Sequence, residues 1–202
     1  MASLLDFIGT YLEQVHGCLN EVDGARVADI AYSIFEAFRQ NKRVYIFGNG
    51  GSSATASHFA CDLAKGTAHS TSPHLPVICL NDNMALMTAI ANDISYTAVF
   101  REQLANFLEE GDVVIAISAS GNSSNILEAV EYAKKQRAVT IGICGFGGGR
   151  LSRIADKALV FSSHDYGQVE DGQMVLAHLI SRVVHHILEC KGLESEKLTR
   201  LV

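Results

Sequence analysis

From Arg43 onward, short apolar runs rich in Val and Ile alternate with helical stretches, and few patterns restrict a fold so tightly. Residues 43–47, 75–80, 112–117, 138–144 and 158–161 read as strands, each bounded by Gly, Asp or Pro. Between them, 52–65, 84–91 with 96–108, 123–136 and 151–155 read as helices, and a last long helix runs from about 169 to 190. A strand that is apolar along its whole length is covered on both faces, and strands separated by helices run parallel. The expected fold is therefore α/β: a doubly wound five-stranded parallel sheet flanked by helices. Crossovers in such a sheet are right-handed, and ligands sit at the carboxyl ends of the strands. That rule directs attention to the turns after Phe47, Leu80, Ile117 and Cys144.

The first 40 residues lie outside this alternation. Leu4, Leu5, Ile8, Leu12, Val15 and Leu19 recur at helical spacing, and Val27, Ile30, Ile34, Phe35 and Phe38 do so after a break at Asp23-Gly24. Residues 1–202 form one domain, with 1–40 a helical pair whose apolar stripe packs on the core or on a second subunit.

Two turns carry the chemistry. Gly48-Asn49-Gly50-Gly51-Ser52-Ser53 follows the first strand, and Ser118-Ala119-Ser120-Gly121-Asn122-Ser123 follows the third. Glycine lets the backbone approach a ligand, and serine donates a hydroxyl while leaving helix N–H groups for an anion. Neither turn is a nucleotide fingerprint: the first lacks the third glycine of G-x-G-x-x-G, and the nearest approach to G-x-x-x-x-G-K-[ST], at Gly145 to Arg150, has no lysine. A net charge of -6 gives no electrostatic footprint for nucleic acid, and no apolar stretch reaches the ~20 residues of a membrane span. Five scattered cysteines without a C-x-x-C pair, and a start without a secretory pattern, suit reduced thiols in the cytoplasm.

These turns, with His58-Phe59-Ala60, the run Thr88-Ala-Ile-Ala-Asn-Asp93 and Gly111-Asp-Val-Val-Ile-Ala-Ile-Ser118, resemble the sugar isomerase (SIS) domain, and more narrowly its phosphoheptose isomerase group. The resemblance implies substrate contacts from Asn49, Gly50, Gly51, Ser52, Asn92 and Asp93, and a phosphate pocket from Ser118, Ala119, Ser120 and Ser123. It puts the metal ligands on His58, Asp62, Glu170 and His178, with Asp62 and Glu170 also meeting substrate, and implies a zinc-like divalent ion and a homotetramer with interface active sites. Asp62 stands where the group usually has glutamate, Glu170 where it has glutamine, and Ala119 where it has threonine.

His58 and Asp62, four apart, share one face of a predicted helix. Glu170 and His178 are eight apart, a rise of ~12 Å on a straight helix, so either Glu170 precedes the regular helix or a neighbouring subunit supplies one ligand. His16, His69, His74, His164, His185 and His186 lack such partners and read as structural or exposed. The implied activity is aldose–ketose isomerisation of a sugar phosphate, sedoheptulose 7-phosphate to D-glycero-D-manno-heptose 7-phosphate for surface glycan synthesis, through an enediol(ate) with Asp62 and His178 as the acid/base pair. The alternative is a non-catalytic SIS protein that binds a protein partner, such as a replication initiator, or senses a sugar phosphate.

Overall fold

The computed structural model describes residues 3–66 and 74–199, with side chains as far as Cys190, so His69 lies outside the described residues. Two helices lead, α1 (Leu4–Asn20) and α2 (Gly24–Arg39). Ser3 and Asp6 close a capping box on α1, at 3.1 and 2.8 Å, and the Asp23 carboxylate accepts from the backbone N–H of Ala25 at 2.9 Å, so the Asp23-Gly24 break is a helix cap.

The five strands are β1 (Val44–Gly48), β2 (Val77–Cys79), β3 (Val113–Ser118), β4 (Val139–Cys144) and β5 (Lys157–Val160). All pairings are parallel and the order is β2-β1-β3-β4-β5. The helices between and after them are α3 (Gly51–Gly66), α4 (Met84–Asp93), α5 (Val99–Ala105), α6 (Ser124–Lys135), α7 (Leu151–Ile154) and α8 (Tyr166–Thr199). The doubly wound five-stranded sheet is thus the observed architecture.

Strand periodicity sorts the core into two layers. Val44, Ile46, Ile115, Ile117 and Ile143 pack with residues of α2, α3 and α8. Tyr45, Phe47, Val114 and Ala116 face the other way, onto α4, α5, α6 and α7. Phe47 stacks on Phe100 with centroids 4.7 Å apart, and both are fully buried; truncating either to alanine costs about 3–5 kcal/mol.

Several boundaries differ from the sequence expectation. β2 is three residues long because it is an edge strand that follows Pro76, which has no N–H to offer the ladder. The helix expected over 96–108 is a 3-10 turn, Tyr96–Ala98, followed by the short α5. α8 starts before 169, because Asp165 caps it by accepting from the Gln168 N–H at 3.0 Å, and it runs on past 190. After β1 the chain crosses to β2 on one side and then to β3 on the other. This reversal makes the carboxyl ends of β1 and β3 the topological switch point, and both small-residue turns leave those two strands.

Candidate active site

Three asparagines hold the turn after β1. Asn81, two residues beyond β2, grips Gly48 by accepting from its N–H at 3.1 Å and donating to its carbonyl at 2.9 Å. Asn49 and Asn125, the latter in the first turn of α6, exchange two amide hydrogen bonds, each 2.9 Å. The Tyr96 hydroxyl also donates to the Asn49 amide oxygen at 3.0 Å. That oxygen thus accepts two bonds, so the Asn49 side chain is held within the turn. Ser52 is buried and donates to Gln173 on α8 at 2.9 Å, which turns its hydroxyl toward the core. The backbone of Gly51 lies against the Glu170 carboxylate, which a Cβ there would displace.

The turn after β3 is differently engaged. Ser118 Oγ accepts from the Gly121 N–H at 3.2 Å and Ser120 Oγ from the Asn122 N–H at 3.3 Å, with Ala119 buried between them. Ser123 occupies the N-cap of α6 but makes no side-chain cap bond, whereas Ser3, Asp23 and Asn83 each cap their helices. A wall of backbone from the segment between β4 and α7 supports this turn: Gly145 N–H donates to the Ala119 carbonyl at 2.8 Å and Leu151 N–H to the Gly121 carbonyl at 2.9 Å.

Farther along, α3 and α8 run side by side in one direction, pairing Ser52 with Gln173 and His58 with His178. His58 lies seven residues beyond Gly51, a rise of ~10 Å. Its Nε2 is 2.9 Å from His178 Nε2, and Asp62 Oδ2 lies 3.4 and 3.8 Å from the two imidazoles. The donor atoms of these three residues all fall within 4.8 Å of one another. Two imidazole nitrogens facing each other beside a carboxylate oxygen suit one divalent cation. Side-chain exposures of 46%, 31% and 50% leave the group open to solvent in the single chain.

Glu170 does not join that group. It lies within α8, two turns before His178, which rules out a position ahead of the regular helix. Asn92 and Asp93 are exposed at the end of α4, joined by a 2.8 Å hydrogen bond to each other. His185 and His186 line a cleft of about 730 Å³ with Asp62, Lys65, His178 and Arg182, and His185 Nδ1 contacts the Gly66 carbonyl at 2.8 Å. All five cysteines are free thiols; Cys79 and Cys144 are buried, and burial pushes both up to about 12. Cys61 and Cys190 are exposed.

Sequence reasoning missed Asn81, Tyr96, Asn125 and Gln173. Two of these had a readable signal. Asn81 directly follows a strand on the ligand-bearing edge, and Gln173 is a polar residue on the otherwise apolar stripe of the last helix.

A parallel sheet with strand order 2-1-3-4-5, two small-residue turns at its switch point and a His/Asp/His group on adjoining helices define a class, and the chain belongs to the SIS domain family: the family's model matches residues 10–145. Phosphoheptose isomerase of Pelobacter propionicus is 36% identical over 162 residues, covering 80% of this chain and 85% of that protein. A probable phosphoheptose isomerase of Thermoplasma volcanium is 32% identical over 177 residues, or 88% and 90% of the two chains. The structure of a phosphoheptose isomerase from Francisella tularensis superposes with a TM-score of 0.83 at 26% identity, over 92% of this chain and 100% of that one. Within the SIS family the chain therefore groups with the phosphoheptose isomerases, enzymes of the sugar-phosphate isomerase class. Among the described residues, no helix is long and apolar enough to cross a membrane.

Proposed function

We propose that this protein interconverts sedoheptulose 7-phosphate and D-glycero-D-manno-heptose 7-phosphate in the cytoplasm, for surface glycan synthesis. The observation that carries the reading is the amino end of α6. Ser123 leaves it uncapped by its own side chain, at the carboxyl end of β3, with the hydroxyls of Ser118 and Ser120 alongside. Backbone N–H groups and a positive helix end there receive a phosphate dianion without help from lysine or arginine. Gly50, Gly51 and the Asn49 backbone approach the sugar, with Asn92 and Asp93 contacting its hydroxyls and Glu170 facing the same turn through Gly51.

The reacting carbons then lie toward Asp62 and His178. The Asp62 carboxylate takes the proton from the carbon beside the carbonyl, and His178 hands a proton to the carbonyl oxygen, giving an enediol. Return of the proton to the neighbouring carbon, with loss of the hydroxyl proton, completes the shift with no net oxidation. His58, Asp62 and His178 would also hold a divalent cation, zinc by donor type; with His178 Nε2 turned to it, the cation would polarise the carbonyl and favour negative charge on its oxygen in place of the proton from that imidazole. A fourth ligand, Glu170 by resemblance, would come from a neighbouring subunit. The half-exposed cluster supports this, since such chemistry works best with water excluded and a second copy would cover it. The reading therefore includes one domain per chain, the helices of residues 1–40 as its assembly surface, and a homotetramer.

The test is conversion of sedoheptulose 7-phosphate by purified protein, with metal analysis alongside. In deuterium oxide the product should carry solvent deuterium at the carbon that was reprotonated. His178→Ala and Asp62→Asn should each lower kcat by about 10²–10⁴-fold, with inorganic phosphate still bound. Turnover undiminished in His178→Ala would remove that residue from the mechanism, and a wild type inert toward every sugar phosphate would overturn the activity.

A further inference from the structure

The two turns at the switch point are joined by a side-chain bridge. Asn49 belongs to the turn after β1 and Asn125 to the first turn of α6, 76 residues on. Their amides lie head to tail, each nitrogen donating to the other's oxygen at 2.9 Å. The Asn125 oxygen also accepts from the Ile126 N–H at 3.0 Å, which fixes the amide to its own helix. Asn125 is almost completely buried. A third arm arrives from the 3-10 turn after α4, where Tyr96 donates to the Asn49 oxygen at 3.0 Å. The same turn approaches α6 again, with Thr97 Oγ1 at 3.5 Å from Ser124 Oγ.

We propose that Asn125 and Tyr96 are positioning residues that act through Asn49, setting the separation between the sugar turn and the phosphate turn. This inference rests on the catalytic reading above. A reciprocal amide pair demands a donor and an acceptor on each partner, so aspartate or a hydrophobe on either side breaks it. The bridge touches neither the phosphate hydroxyls nor the His/Asp/His group. Its loss would leave the phosphate seated while the sugar's reacting end drifts relative to Asp62 and His178. Misplacement by a fraction of an ångström to an ångström slows chemistry much more than it weakens binding.

The experiment is a double-mutant cycle with Asn49→Ala, Asn125→Ala and the pair, read as kcat, KM, affinity for inorganic phosphate and unfolding free energy. Each single variant should lose roughly ten-fold in kcat, and the pair should lose little more than either alone, because the second change removes a bond already broken. Phosphate affinity should stay within about two-fold of wild type, a split that a merely structural defect would not give. Tyr96→Phe, which deletes one hydroxyl from an exposed ring, keeps the test open if the asparagine variants fold poorly; it should lower kcat about three-fold with KM for the sugar phosphate unchanged. A pair whose loss equals the product of the single losses overturns the bridge and leaves the isomerase reading standing. So does a Tyr96→Phe enzyme with full kcat. If the wild type turns over no sugar phosphate, the isomerase reading falls, and the bridge is judged by the same cycle in unfolding free energy: additivity there overturns it, and non-additivity supports it.

Discussion

Gly149 shows how much a single residue governs in this fold. Its φ is +56°, a region that side chains other than glycine enter at a cost, and a Cβ on it would run into the Ser120 carbonyl. Gly147, two residues earlier, has φ +71° but open space around it. The pair makes a controlled comparison. Gly147→Ala should cost only the backbone penalty, about 1 kcal/mol, and leave phosphate affinity alone. Gly149→Ala should cost about 1–3 kcal/mol and also weaken inorganic phosphate binding, because the backbone it displaces is the turn at Ser120. Thermal unfolding with phosphate titration of both variants checks this, and equal phosphate affinities would show that the glycine wall does not shape the pocket. The sequence displayed these glycines clearly, but their pattern drew attention only as a near miss to a phosphate loop. Their use in close backbone packing depends on β4 lying beside β3, which no local pattern announces. The serines of the turn after β3 stand, as the sequence placed them, between a buried strand and a helix start. Ser52 looked the same from sequence and points inward, because Gln173, 121 residues away, supplies its partner.

At the scale of elements, alternation of short Val/Ile runs with helical periodicity was enough to locate all five strands and the succession of helices. What it could not resolve were ends and breaks. α8 begins at Tyr166 on an Asp165 cap, and the expected helix over 96–108 is interrupted, because Ser95 turns its hydroxyl onto the Ala98 N–H at 3.2 Å. The most informative junction joins α1 to α8. Tyr11 donates to the Asp171 carboxylate at 2.7 Å, and Gln168 donates to Gln14 at 2.7 Å, so polar groups attach α1 to its neighbour. The hydrogen bond to Asp171, with the negative charge beside it, pushes the Tyr11 hydroxyl up to about 12. A pKa raised on folding means that the protonated form is favoured in the native state. Its contribution to stability is complete below the ordinary tyrosine value of about 10 and disappears as pH climbs through about 12. Spectrophotometric titration of tyrosinate should therefore show one residue ionising late, and that late step should vanish in Tyr11→Phe. In Asp171→Asn, Tyr11 should ionise earlier than in wild type. A wild-type curve in which no tyrosine ionises late would mean that the contact does not persist in solution.

For the whole molecule, strand order was beyond the reach of local patterns, yet it decides where the site lies. The candidate site's place follows from β1 standing between β2 and β3, since that reversal sets the switch point. A second whole-molecule property follows from what α1 leaves uncovered. None of its residues is buried, and Leu4, Leu5, Phe7 and Leu12 are 75%, 77%, 68% and 62% exposed in the single chain. One exposed leucine needs no account, but four large apolar side chains on one helix form a patch that soluble chains cover by association. The His58, Asp62 and His178 group is similarly half-open. Both observations are met if copies of the chain pack through α1 and bring covering residues over each cluster. The expected outcome is a homo-oligomer, a tetramer in the proposal above, in sedimentation equilibrium. Leu5→Glu with Phe7→Glu should shift it to smaller species while leaving the monomer fold intact, since neither side chain contributes to the core. Turnover should then fall with dissociation and recover as protein concentration rises, because the cluster would be completed only in the assembled form. A double variant that is dissociated yet fully active at every concentration would show that each chain carries a complete site of its own. A wild type that sediments as a single chain would mean that the α1 stripe does not associate chains of this protein with one another.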